Sequence, residues 1–170
     1  MADRSHSESA LVQFSERLTN SAAFGTLFRE GMDLVEETAA YLDGDGRSEA
    51  KLLERSVSLT YATESMRLTT RLMQLASWLL LHRAVKEGEM TLNQANREKT
   101  KVKLSAADPG STDTIEKLPS QLQDLIHRSM SLQTRVRRLD TTIHTPPVDH
   151  PSIGNPLVPH LNALKAAFER

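Results

Sequence analysis

The side chains of this 170-residue chain that could do chemistry are scattered rather than grouped. His144, His150 and His160 could converge on a metal, but they fall in a proline-rich stretch without a carboxylate or further histidine to orient them. Asp43, Asp45 and Glu54 stand at positions one, three and twelve of a calcium loop. Arg47 at position five and Ser48 in place of the obligatory turn glycine break that pattern, so a plain helix hairpin is the better reading. The sequence contains no GxSxG elbow, no phosphate-binding glycine loop and no HExxH pair. With no cysteine there is no thiolate nucleophile, disulfide framework or thiolate metal site. No catalytic residue, metal or cofactor is therefore assigned, and a non-enzymatic chain in a reducing cytoplasm is expected.

Binding chemistry is better represented. Trp78 and Leu81 interrupt an otherwise polar helical arc that also carries Arg67, Arg71 and Gln74. Apolar groups on such an arc need a cover, and Trp is a frequent anchor of interfaces, so these five residues are a candidate partner-binding surface with a polar rim. Cover by the chain's own insertion or N-terminal helix is the competing reading. Leu157, Leu161, Leu164 and Phe168 step by four, three and four near the C-terminus, a stripe suited either to docking cargo or to folding back on the bundle. Arg135, Arg137 and Arg138, with Lys99, Lys101 and Lys103, form two basic clusters. They support an alternative as a helical nucleic-acid-associated regulatory protein, against which stand the absence of interleaved aromatics and the favourable placement of cations at a helix C-terminus.

The elements that must hold these residues are helices. Ser56 to Val85 shows two apolar ridges, Val57, Tyr61, Leu68, Leu72, Leu75 and Leu79, and Leu59, Ala62, Met66, Met73, Leu80 and Ala84. They leave room for two neighbouring helices, along a long helix running from about Ser48 to Glu87, and the double ridge could serve a two-fold partner as well as the chain's own core. Before it, Phe24, Leu27, Phe28, Leu34, Val35, Thr38, Tyr41 and Leu42 mark a helix from Ser21 to Leu42, stopped by Asp43-Gly44-Asp45-Gly46. After it, Leu118, Leu122, Leu125, Ser129, Leu132, Val136, Leu139 and Ile143 give the most regular stripe in the chain, with Pro119 at its start. Gly88 ends the long helix, and Thr91 to Gln94 is a capping box for a short one.

These signals predict an all-α fold, an antiparallel three-helix bundle with a long central helix, flexible tails and a mobile insertion between the second and third long helices. The expected layout is a flexible segment with a short helix over 1–20, the bundle over 21–143 with its insertion at 88–117, and a proline-rich tether with an amphipathic docking helix over 144–170. Lys plus Arg number 21 against 22 acidic residues, so the net charge of −1 gives no global attraction to nucleic acid or anionic membrane. The longest apolar cluster, Leu72 to Leu81, is too short and too interrupted to span a bilayer. A cytoplasmic protein without membrane or nucleic-acid partners is expected.

Two stretches carry a family resemblance. LFREGMDLVEETAAYLDGDGR, Leu27 to Arg47, and YATESMRLTTRLMQLASWLLLHRAVKEGEMT, Tyr61 to Thr91, closely resemble the alphaproteobacterial regulators of CtrA degradation, the RcdA-like adaptors of the ClpXP protease. The resemblance continues more weakly through Gln94 to Leu104 and Leu118 to Asp140. It implies a dimeric three-helix bundle without enzymatic activity. Such a protein would join a ClpX unfoldase, primed by a response-regulator co-adaptor, to cell-cycle substrates or further adaptors.

Overall fold

Three stretches carry an apolar stripe at helical spacing, and each is bounded by residues that stop a helix. The computed structural model describes residues 21–99 and 112–144. Helix α1, Ala22–Asp43, starts where Ser21 Oγ accepts the Phe24 N–H at 3.2 Å. Its buried residues Phe24, Leu27, Gly31, Leu34, Thr38 and Tyr41 alternate steps of three and four, so one face is inside. Gly31 permits the closest approach, since a Cβ there would collide with Leu79 Cδ1. The Gly44 N–H bonds back to the Ala40 carbonyl at 3.0 Å and ends the helix.

The next helix is not continuous from residue 48 as its periodicity suggests. A separate short helix, α2, spans Asp45–Ala50, a turn follows, and the long helix α3 runs Arg55–Lys86. Packing explains the break. Gly46 lies beneath the rings of Tyr41 and Tyr61, and Tyr41 Oη donates to Glu49 Oε2 at 2.7 Å, which pins α2 across the end of α1. The 32 residues of α3 still make it about 48 Å long. Gly88, at φ 76°, turns the chain out of α3 in the left-handed conformation that suits glycine.

The capping box forms as read. Thr91 N–H donates to Gln94 Oε1 at 2.9 Å and Gln94 N–H donates to Thr91 Oγ1 at 3.2 Å, opening α4, Leu92–Lys99, which folds back on α3. A single turn, α5, covers Thr112–Ile115, and α6 covers Ser120–His144 directly after Pro119. In α6 the stripe Leu122, Leu125, Ser129, Leu132, Val136 and Ile143 is buried, with Leu139 packed at its margin.

One core joins α1, α3 and α6, so the fold is all-α. The directions differ from the expected arrangement in one helix, α6. Glu37 meets Arg128 and Glu30 meets Arg135, and Phe24 lies against Trp78, so α1 runs antiparallel to both α6 and α3. Arg71 meets Ser129 and Trp78 meets Asp140, so α3 and α6 run parallel. A parallel pair cannot be joined by a tight turn, and the stretch from 87 to 119 is the crossover that this direction demands.

Candidate protein-binding surface

Helix α3 has neighbours on one side only, and its orientation decides which side chains meet solvent. Its buried residues are Tyr61, Glu64, Leu68, Arg71, Leu72, Leu75, Trp78, Leu79 and His82. The first apolar ridge is therefore inside. The arc that reads as polar is turned toward α6, and the second ridge is outside.

This orientation corrects the candidate surface drawn from the sequence. Trp78 is 1% exposed, stacked on His82 with ring centroids 3.9 Å apart, and its Nε1–H donates to Asp140 Oδ1 at 2.8 Å. Arg71 is 3% exposed and its Nη1 donates to Ser129 Oγ at 2.8 Å. Burial lowers the affinity of the Arg71 guanidinium for its proton, because no carboxylate bonds it to offset the lost hydration. Arg67, half-buried, donates to the buried carboxylate of Glu64 at 2.7 Å, while Gln74 and Leu81 are half-buried beside them. The cover for Trp78 and Arg71 is the chain's own α6. Ser129 is the mark of this in the sequence, a lone polar residue within an otherwise apolar stripe that receives a cation from α3.

The basic clusters are also partly engaged within the chain. Arg135 makes a two-pronged pair with Glu30, and Arg128 makes another with Glu37 at 2.7 and 2.9 Å. Lys99 reaches the Asp140 carboxylate at 2.6 Å, joining α4 to the Trp78 site. Lys101, Lys103 and the tail stripe Leu157, Leu161, Leu164 and Phe168 lie outside the described residues, as does the expected N-terminal helix.

The solvent face of α3 carries the second of the two apolar ridges. Leu59, Met66, Met73 and Leu80 are 71, 72, 66 and 52% exposed and recur every seven residues, so they line up along one edge of the helix. The residues between them on that face, Ala62, Thr69 and Ala76, are small. The file is symmetric along the chain. Met66 is three residues before Thr69 and Met73 three after Thr70, while Leu59 and Leu80 each stand ten away. The missing clue in the sequence is the width of this ridge, one large side chain per two turns, which is too narrow to fill a core face.

Beside the file, α1 and α3 leave an apolar groove of about 330 Å³, lined by Val35, Thr38, Ala39, Leu42, Asp43, Thr69, Leu72, Met73 and Ala76. Thr38 Oγ1 is buried there without a hydrogen-bond partner. Among the described residues no group of three His, Asp or Glu is placed to hold a metal, and no helix is long and apolar enough to cross a membrane. The surface is thus built for apolar contact along one long helix and an adjoining groove.

The model of a family described as a protein of unknown function, DUF1465, matches residues 15–168. The crystal structure of RcdA from Caulobacter crescentus CB15 is similar at 50% identity and a TM-score of 0.62, over 75% of this chain and 96% of that one. No curated protein matches the chain.

Proposed function

Because the chain belongs to the DUF1465 family and is RcdA-like, we propose that it is a non-enzymatic adaptor that delivers cell-cycle regulatory proteins to the ClpXP protease together with a response-regulator co-adaptor. The observation that carries this reading is the pairing of an RcdA-like bundle with an apolar file left outside it. Isolated exposed hydrophobics are ordinary, but four in register on one helix mark a contact surface.

The proposed occupant of that file is a second copy of the chain. Its symmetry about Thr69 and Thr70 means that an antiparallel two-fold copy brings Leu59 against Leu80 and Met66 against Met73, with Ala62 opposite Ser77 and Thr63 opposite Ala76. Large faces large only where small residues flank the pair, so the helices can approach closely. The homodimer would be a rigid carrier, and the stripe Leu157, Leu161, Leu164 and Phe168 would be its cargo-docking element. Cargo then gains degradation rate through a raised local concentration at the unfoldase. The nucleic-acid alternative is weaker, since Arg135 and Lys99 already face Glu30 and Asp140.

Affinity capture of the tagged chain from nuclease-treated lysate of its own cells tests this function. Enrichment of the ClpX unfoldase with a response regulator is the expected result. Recovery of transcription or nucleoid proteins in their place would overturn the adaptor reading.

A further inference from the structure

We propose that the groove between α1 and α3 is the resting seat of the chain's own C-terminal segment, 157–168, so that the docking element is withheld until cargo displaces it. This rests on reading that segment as the cargo-docking element.

Reach permits the occupant. Asp140 lies level with Trp78 and α6 runs about 6 Å further to His144, while the groove begins two residues before Trp78 at Ala76 and extends back to Thr69, so it is about 9–20 Å from His144 along the α3 axis. Residues 145–156 form a twelve-residue tether that spans about 37 Å when extended as a proline-rich chain, enough to pass around the bundle. On the N-terminal side Leu18, three residues from Ser21, spans at most about 11 Å, whereas Val35 lies fourteen residues along α1, about 21 Å. Phe14 and Leu11 could span that distance, but their segment carries Glu16 toward the acidic part of α1, whereas 157–168 carries no acidic residue.

Chemistry agrees with reach. The groove offers Val35, Ala39, Leu42 and Met73 to apolar anchors, and the segment presents four at the steps that an amphipathic helix uses to enter a groove. From Gly31 to Asp43 the α1 sequence holds Asp33, Glu36, Glu37 and Asp43 and no basic residue, while the segment brings Lys165 between its last two anchors. Buried Thr38 Oγ1 lacks a partner, and His160 and Asn162 flank Leu161. The family match runs to residue 168 and so includes the whole stripe. Tethering raises the local concentration into the millimolar range, so a weak contact suffices to keep the seat occupied.

The chain contains no cysteine, so Ala39→Cys with Lys165→Cys places its only two thiols on the seat and the segment. Mild oxidation of the full chain is expected to form a disulfide within one chain, and adding Leu161→Ser and Phe168→Ser should lower its yield about tenfold by removing the apolar anchors. The methyl resonances of Val35, which lines the groove away from the exposed file, should also move when those two anchors are replaced in the otherwise unaltered chain, with unchanged helicity showing that the bundle is intact. A disulfide only between chains, or no disulfide and unmoved Val35 methyls, would overturn the proposal. Neither readout uses cargo or protease, so failure of the adaptor reading would appear separately, in the capture experiment.

Discussion

Arg71 is a cation in the core whose one side-chain hydrogen bond reaches a hydroxyl, and its Nε is left without a partner. A buried charge so held adds little to stability, because the lost hydration is not offset by a bonded carboxylate. Arg71→Met is therefore expected to leave denaturant stability within about 1 kcal/mol of the parent or to raise it. Ser129 keeps the Ile126 carbonyl as acceptor at 2.7 Å, and Glu64 keeps Arg67. A loss of about 3 kcal/mol would show instead that Arg71 is an essential counter-charge. At the surface, the bonds from Arg135 hold the Glu30 carboxyl below its ordinary range. A lowered carboxylate contributes fully above its unfolded value, about 4.3, and loses that contribution as pH falls through the lower folded value. The melting temperatures of the parent and Glu30→Gln should thus differ at neutral pH and converge on acidification. Both partners are more than 40% exposed, so solvent screening keeps the difference below about 1 kcal/mol.

At the scale of the helix, α3 behaves as two surfaces with different tasks. Met66→Glu with Met73→Glu changes only exposed positions, so unfolding of the protomer should shift by no more than about 0.5 kcal/mol per site. Those charges face the middle of the proposed two-fold pair, and sedimentation should show a monomer at concentrations where the parent is a dimer. A dimer that survives both changes would place the interface elsewhere. The same helix shows how far the sequence is legible. Helix α6 can be read almost residue by residue, because a strong apolar stripe faces a polar remainder. The Ser21 cap, the Gly44 stop and the Thr91–Gln94 box are equally clear, since each is a local hydrogen-bond pattern. Helix α3 has less contrast between its faces. Glu64, Arg71 and His82 point inward while Leu59, Met66, Met73 and Leu80 point outward, so hydrophobicity alone rotates it incorrectly and makes Trp78 look like a surface anchor. Which way α3 turns depends on Ser129 and Asp140, which lie 58 and 62 residues away from their partners on it.

For the whole molecule, pairing and delivery should be linked. A dimer joined through α3 as proposed would carry two cargo-docking elements, and joining two weak contacts raises apparent affinity by about 10²–10⁴ when geometry allows both. The Met66→Glu, Met73→Glu protein is thus expected to deliver cargo in a reconstituted degradation assay at least about tenfold less well at limiting concentration, with the difference shrinking as concentration rises. Equal delivery at every concentration would show that a single protomer is the working unit. The parallel run of α3 and α6 bears on how the protein is made. The hairpin of α1 and α3 closes through the short helix α2 and one turn, whereas the ion pairs between α1 and α6 join residues 91 and 105 positions apart. Closing so long a loop is entropically late, so α6 is expected to arrive after the hairpin has formed. During synthesis, the newborn hairpin would then wait with Leu68, Leu75 and Trp78 open to the cell water until the final long helix has emerged.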